Sequence, residues 1–224
     1  MGTDGVIKNN QVEIVGEIVS DYVYNHEVFG EGFYQVMVEI PRLSDNYDTI
    51  PVMVSERIVN VNENNSGALV SIKGQFRSFN KHTEERNNKL VLYVFAREFE
   101  FLEGDAIQVE LDTNHIEMEG YICKQPNYRK TPLGREICDL LIAANRPYGK
   151  SDYIPCICWG RNARFAGEMG VGQKLWIFGR IQSREYIKRI PTEGGFDEER
   201  RTAYEVSVSK VEALKEDNTD EKKM

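Results

Sequence analysis

The sequence predicts an all-β chain built as two tandem, five-stranded Greek-key barrels, each with a short helix between its third and fourth strands. Three observations predict it. Segments 104 residues apart repeat one another. Apolar residues alternate with a period of two through most of each copy. Glycines stand where short runs would have to turn or stop.

The repeat is the strongest of the three. Asn10–Ile18 (NQVEIVGEI) matches Asn114–Ile122 (NHIEMEGYI) at an offset of 104, which also carries Gly30 onto Gly134, Arg42 onto Arg146, Ile50 and Pro51 onto Ile154 and Pro155, and Arg57 onto Arg161. One residue later in register, Gly67 and Gly74 fall on Gly172 and Gly179, and the closing strands Leu90–Leu102 and Thr202–Leu214 match at an offset of 112. In the second copy Ile116, Met118, Gly120 and Ile122 alternate with polar residues as a strand does. Ile137–Ala144 reads as a central strand, Asp152–Trp159 alternates again, and Lys174–Arg184 and Tyr204–Leu214 complete the set. Arg161–Met169 is long enough for one short helix, stopped by Gly170 and Gly172; in the first copy Ser55–Val61 is the weaker counterpart. Five strands with a helix between the third and fourth is the layout of an OB-fold barrel. We therefore expect one barrel over residues 1–108, a second over 109–214, and a short charged tail over 215–224. The barrels meet near Glu103–Asp112, a stretch too short for a free linker. Residues 187–201 read as a long polar loop with a shorter counterpart at Asn80–Lys89, and loops of that length and charge tend to carry function.

Composition narrows the classes. With 41% hydrophobic and 29% charged residues, the chain has an ordinary globular make-up. No run approaches the roughly 18 apolar residues of a membrane span. The polar start MGTDGVIKNN lacks the apolar segment of a signal peptide, so a cytoplasmic protein with no membrane association is expected. The net charge of −8 is unevenly spread: residues 1–108 hold 9 Lys and Arg against 17 Asp and Glu, whereas residues 109–214 hold 16 against 15. A phosphate backbone responds to the local field, which points any nucleic-acid contact to the second half. Cys123, Cys138, Cys156 and Cys158 lie in strand-like runs. A zinc site prefers Cys-x2–4-Cys pairs on turns, so these read as small core residues and no metal or cofactor is expected. His26, His82 and His115 are scattered, with no nucleophile motif or phosphate loop beside them, so catalysis is not expected.

Single strands of nucleic acid are held by cations along the backbone and aromatic faces under the bases, and the second copy interleaves the two. Arg129 and Lys130 lie between its first two strands, and Arg146 and Tyr148 follow the second. Tyr153 and Trp159 sit six residues apart on one face of the third. Arg161 and Arg164 come next, and Arg180, Arg184 and Tyr186 lie on the way out of the fourth. If Cys156 and Cys158 point into the barrel, Tyr153, Pro155, Ile157 and Trp159 point out of it. An outward Trp aligned with a Tyr either stacks on a ligand or packs against another barrel. Trp176 and Phe178 also face outward, where the first copy has Ser71 and Lys73.

Through Asn114–Ile122, Tyr128–Gly134 (YRKTPLG), Ala143–Tyr148 (AANRPY), Cys156–Arg161 (CICWGR) and Phe178–Arg184 (FGRIQSR), the second copy resembles the bacterial single-stranded DNA-binding protein family over its whole length. The resemblance implies sequence-independent binding and protection of single-stranded DNA, with Tyr148, Tyr153, Trp159 and Tyr186 as stacking platforms. The base that the family usually places at Pro155 is missing. The family works as assemblies of four barrels, which for two barrels per chain implies a homodimer, with Trp176 and Phe178 packing against another barrel. The first copy has Ser44, Thr49 and Ser55 in place of Tyr148, Tyr153 and Trp159, and Asn25 in place of Arg129, so it is expected to be structural. The family's acidic, apolar-tipped tail, through which replication and repair partners are recruited, has no match in Asp220–Met224, which points to a specialised relative. The alternative is an OB-fold adaptor that assembles proteins without nucleic acid.

Overall fold

The computed structural model describes residues 9–42, 44, 46–82, 88–103, 113–192 and 194–215; the expected barrel boundary at 108/109 and nearly all of the tail lie outside them. The chain forms β1 (Asn10–Ile18), β2 (Val23–Val28), β3 (Glu31–Pro41), β4 (Tyr47–Ser55), β5 (Leu69–His82), β6 (Asn88–Phe101), β7 (Asn114–Ile122), β8 (Asn127–Lys130), β9 (Glu136–Asn145), β10 (Ser151–Trp159), α1 (Arg161–Gly167), β11 (Lys174–Thr192) and β12 (Gly195–Leu214). Two OB-fold barrels stand in tandem, and no described helix is long and apolar enough to cross a membrane.

In the first barrel the strand order β2-β3-β4-β6-β5-β1 closes through β1 on β3, and the second barrel repeats it, with β7 on β9 as the closure. Closure needs a strand without a side chain at the crossing. A Cβ on Gly16 would lie 2.4 Å from the Glu39 carbonyl oxygen, and one on Gly120 would lie 2.6 Å from that of Ala143. Period-two alternation fills each interior. Ile14, Ile18, Val36, Ile72 and Phe76 line the first barrel, and Ile116, Met118, Ile142, Ile154 and Leu175 the second. Cys138, Cys156 and Cys158 are core residues as well; burial pushes the Cys158 thiol up to about 12 and that of Cys156 well above its ordinary range.

Three sequence expectations are corrected. Residues 187–201 are not a polar loop: β11 and β12 stay paired to Thr192 and Gly195, with Lys188 opposite Glu199 and Arg189 opposite Glu198. Opposite charges directly across a ladder favour pairing over a solvated loop. Each barrel also gains a short outer strand, β2 or β8, where a connection was expected. Ser55–Val61 forms turns, not a helix. Asn60 accepts a hydrogen bond from the Asn62 amide, a local bond that competes with helix, and Ile58, Val59 and Val61 are β-branched. Arg161–Gly167, with Ala163 and Ala166 buried against the barrel, does form the helix.

The barrels are joined edge to edge. β1 pairs antiparallel with β7, from Asn10 opposite Met118 to Ile14 opposite Asn114. Each of these asparagines clasps a strand of its own barrel: Asn10 exchanges two hydrogen bonds with the Phe76 backbone, and Asn114 does so with that of Ile181. Beyond this pairing each β5–β6 or β11–β12 hairpin reaches the other barrel through one repeated seam. On one side Asp152, buried, holds Arg146 and accepts from the Ser78 amide (2.5 Å), while Arg146 donates to the Ser78 carbonyl (3.1 Å) and the Tyr153 amide to Ser78 Oγ (2.7 Å). On the other, Asp48 holds Arg42 and accepts from the Ser183 amide (2.7 Å), Arg42 donates to the Ser183 carbonyl (3.0 Å), and the Thr49 amide donates to Ser183 Oγ (3.1 Å). Asp48 takes a second guanidinium, Arg180 at 2.6 Å.

Removing a carboxylate here strands a half-buried arginine and a buried amide. Asp152→Ala is expected to cost about 3 kcal/mol of unfolding free energy, the scale of breaking a buried ion pair, and Asp48→Ala more, because it strands two arginines. Urea titration at neutral pH measures both. Losses below about 1 kcal/mol, the range of surface pairs, would contradict the seam's structural role.

Candidate nucleic-acid interface

The outer face of β9 and β10 is set by strand parity. Along β10, Asp152, Ile154, Cys156 and Cys158 are buried, whereas Tyr153 and Trp159 are 43% and 40% exposed. Register places Tyr153 beside Ala143, Pro155 beside Leu141, Ile157 beside Asp139 and Trp159 beside Ile137. The floor between the two rings is thus Ala143, Leu141, Pro155 and Ile157, with the Asp139 carboxylate, paired to Arg129, beside Ile157. Ile157 shares the outward parity yet is 7% exposed and lies outside the barrel core. Six residues of strand separate the rings by about 20 Å, too far for one base to touch both.

Cations stand around the Trp159 end. β8 brings Arg129 opposite Ile137, so that Arg129, Ile137 and Trp159 lie in one row across three strands. Arg129 pairs with Asp139 (3.0 Å), Arg164 with Glu136 (3.0 Å) and Lys130 with the same Glu136 (4.0 Å), all with exposed basic side chains. Arg161 opens α1 and is exposed. Exposed pairs of this kind are worth roughly 0–1 kcal/mol, so they hold the cations in place without preventing exchange onto a phosphate. Tyr128, half-exposed beside Arg129, donates to Glu136 Oε1 (2.8 Å) and adds a further aromatic ring at this end.

The other candidates go elsewhere. Arg146 and Arg180 are turned into the seam, on Asp152 and Asp48, and do not reach the row at Trp159. Arg184 and Tyr186 leave on the β11–β12 hairpin just past Ser183, the residue that bonds Asp48 of the first barrel. There the Arg184 guanidinium is 5.9 Å from the Tyr186 ring and 3.8 Å from Glu205. The Tyr148 backbone lies in a 3-10 turn over Pro147–Gly149, and its side chain lies outside the described residues. Trp176 and Phe178 stack on each other (6.4 Å, 15°) on the outward face of β11, with Trp176 Nε1 donating to Glu117 (2.8 Å) and His115 5.6 Å from Phe178. That face continues through β7 and β1 onto β5 and β6, one sheet shared by both barrels.

Comparison with known proteins follows the same division. The model of the Single-strand binding protein family matches residues 113–214. A single-stranded DNA-binding protein of Oceanobacillus iheyensis is 32% identical over 80 residues, covering 33% of this chain and 50% of that protein. Single-stranded DNA-binding protein 3 of Clostridium acetobutylicum is 29% identical over 108 residues, covering 45% of this chain and 70% of that one. The chain spans about half the length of most of the curated relatives that it matches. Among solved structures, the wild-type single-stranded DNA binding protein from Thermus aquaticus superposes with a TM-score of 0.70 over 92% of this chain and 93% of that one, at 18% identity. At that identity the likeness is one of fold.

Proposed function

With a second barrel that belongs to the bacterial-type single-strand binding protein family, we propose that this chain binds and protects single-stranded DNA without regard to sequence. Bases stack on Tyr153 and Trp159, and on Tyr148 where the strand passes the 3-10 turn. Phosphates exchange onto Arg129, Lys130, Arg161 and Arg164, and a longer strand continues to Arg184 and Tyr186 on the hairpin. Arg146 and Arg180 serve the seam. The observation that carries this reading is the aligned, outward Tyr153 and Trp159 over a largely aliphatic floor whose one carboxylate, Asp139, is paired to Arg129, with arginines at one end, since two large rings are otherwise costly to leave in water. The family is one of DNA-binding proteins without catalytic activity. Its work in replication, repair and recombination supplies the setting proposed here, in the cytoplasm.

We also assign unequal shares to the barrels. The first lacks aromatic residues at Ser44, Thr49 and Ser55 and holds the acidic half of the charge. Its main part is to complete the assembly, which we propose is a homodimer of four OB folds joined by a symmetric interface that covers Trp176 and Phe178.

Two measurements test the reading. Trp159→Ala should weaken binding of a dT oligonucleotide by about 1–3 kcal/mol, roughly 5- to 150-fold, the range for one stacked base. Wild-type affinity should fall with salt at a log–log slope of roughly −0.7 per phosphate contacted. Unchanged affinity in the variant would move the site elsewhere. Light scattering at micromolar concentration should return twice the chain mass, and Trp176→Glu should halve it. A monomer in the wild type would refute the dimer.

A further inference from the structure

The outer face of the first barrel is not bare: its rings stand one strand away from the positions where the second barrel keeps them. Phe33 lies directly opposite Ser55 across β3 and β4, stacks on His26 (5.0 Å, 11°) and comes within 5.8 Å of Phe95. Phe95 faces Met53 in the parallel β4–β6 pair, and Tyr93 lies opposite Arg77 on β5. Phe79, 40% exposed, stands 5.9 Å from Tyr93. The equivalent registers of the second barrel hold Ile137, Ser207 and Glu205, so the aromatic surface has been relocated rather than lost.

Cations converge on the same rings. The Arg77 guanidinium lies 3.9 Å from the Phe95 centroid and that of Arg97 lies 5.2 Å from it. Arg97 is the extra residue of a bulge, unpaired between Ala96 and Glu98, and bulges re-aim side chains in this way. Gly74 permits it, since a Cβ there would meet the Phe95 carbonyl at 2.2 Å. Arg77 is largely buried. Among the described residues it makes one side-chain hydrogen bond, to Gln75 Oε1 (2.8 Å), and its Nε has none.

The seams explain the imbalance. At the Asp48 seam the register Gln182–Arg180 sends its arginine to the carboxylate. At the Asp152 seam the order is reversed, Gln75–Arg77, and among the described residues Arg146 is the one arginine that Asp152 holds. Arg77 lies near the guanidiniums of Arg146 and Arg97 and, among the described residues, is in direct contact with no carboxylate; Tyr93 and Asp152, the latter already paired with Arg146, offset the repulsion only in part. Burial, then Arg146 and Arg97, bring its pKa down to about 10. An anion placed here would offset the repulsion from Arg146 and Arg97, and a phosphate flanked by rings has the form of a single strand.

Resting on the function proposed above, we propose that Phe33, Phe79, Tyr93, Phe95, Arg77 and Arg97 form a second single-stranded DNA site. Bases pack against Phe79, Tyr93 and Phe95, with Phe33, itself buried, backing Phe95 at 5.8 Å, and a phosphate seats on Arg77 and Arg97. One strand runs continuously between the sites, because Tyr153 of the second barrel is hydrogen-bonded to Ser78, which sits between Arg77 and Phe79.

The test uses the full chain and two dT oligonucleotides. One is about 8 nucleotides, within a single OB fold's reach. The other is about 30, beyond the ~4–16 nucleotides of one fold. Arg97→Glu and Phe79→Ala alter exposed side chains outside the core. Each should weaken binding of the long oligonucleotide about tenfold, within the range for one stacked base, and leave the short one unchanged. Arg97→Glu should also reduce the salt slope by roughly 0.7, one single-strand phosphate contact. If both variants bind the long oligonucleotide as the wild type does, with an unaltered slope, while Trp159→Ala weakens both lengths, the second site is refuted and the first stands. If Trp159→Ala changes neither length, the reading beneath both sites fails instead.

Discussion

Two buried carboxylates, Asp48 and Asp152, fix the relation on which the rest of the structure depends. Each is almost wholly removed from water, a position that a carboxylate tolerates only when its oxygens are filled. Both are filled in the same way, by an arginine six residues earlier in the chain and by a serine amide from the other barrel. Such an arrangement adds little net stability compared with an apolar contact of the same size. Its effect is geometric. The amide can be met at one register only, so each hairpin arrives at the opposite barrel in a single pose, and the β1–β7 pairing is held from both ends. The result is one sheet running through both barrels, with each outer face bordered by a hairpin from its neighbour.

This geometry divides the charges. An arginine committed to a seam carboxylate is unavailable to a phosphate, and Arg42, Arg146 and Arg180 are committed. Arg129, Lys130 and Arg164 sit in weak surface pairs, which a polyanion can displace, and Arg161 stands exposed at the start of α1. The two seams are also unequal, since a Gln and an Arg exchange places between Gln75–Arg77 and Arg180–Gln182. That exchange satisfies Asp48 twice over and leaves Arg77 short of a counter-charge on the aromatic side of the first barrel. A duplicated fold has thus kept its interior and its joint while its two faces have come to differ.

Much of this is legible in the sequence for a physical reason. Core and closure are local properties: the alternation through Ile116–Ile122, the inward Cys156 and Cys158, and the glycines at 16 and 120 follow from parity and from the absence of a Cβ. The outward Tyr153 and Trp159 follow from the same parity. The partners of a charged side chain are not local. Nothing around Arg146 in the chain indicates Ser78, 68 residues away, and so Arg146 and Arg180 looked available for phosphate. The hairpin beyond Arg184 read as a loop because its residues are charged, and only the cross-strand register shows those charges to be paired. Phe33 and Phe95 went unnoticed for a related reason. A comparison position by position along the repeat finds serine at 55, whereas the ring that covers the same surface comes from the strand beside it.

The central claim is that Trp159 forms part of the surface on which bases stack. Its emission can be isolated by replacing Trp176, the other tryptophan, with phenylalanine. Adding a dT oligonucleotide to the Trp176→Phe protein at low salt should quench the remaining fluorescence to a plateau, and added salt should restore it as phosphate contacts are lost. Unchanged emission at saturating oligonucleotide, in a protein shown by anisotropy to have bound it, would contradict the account.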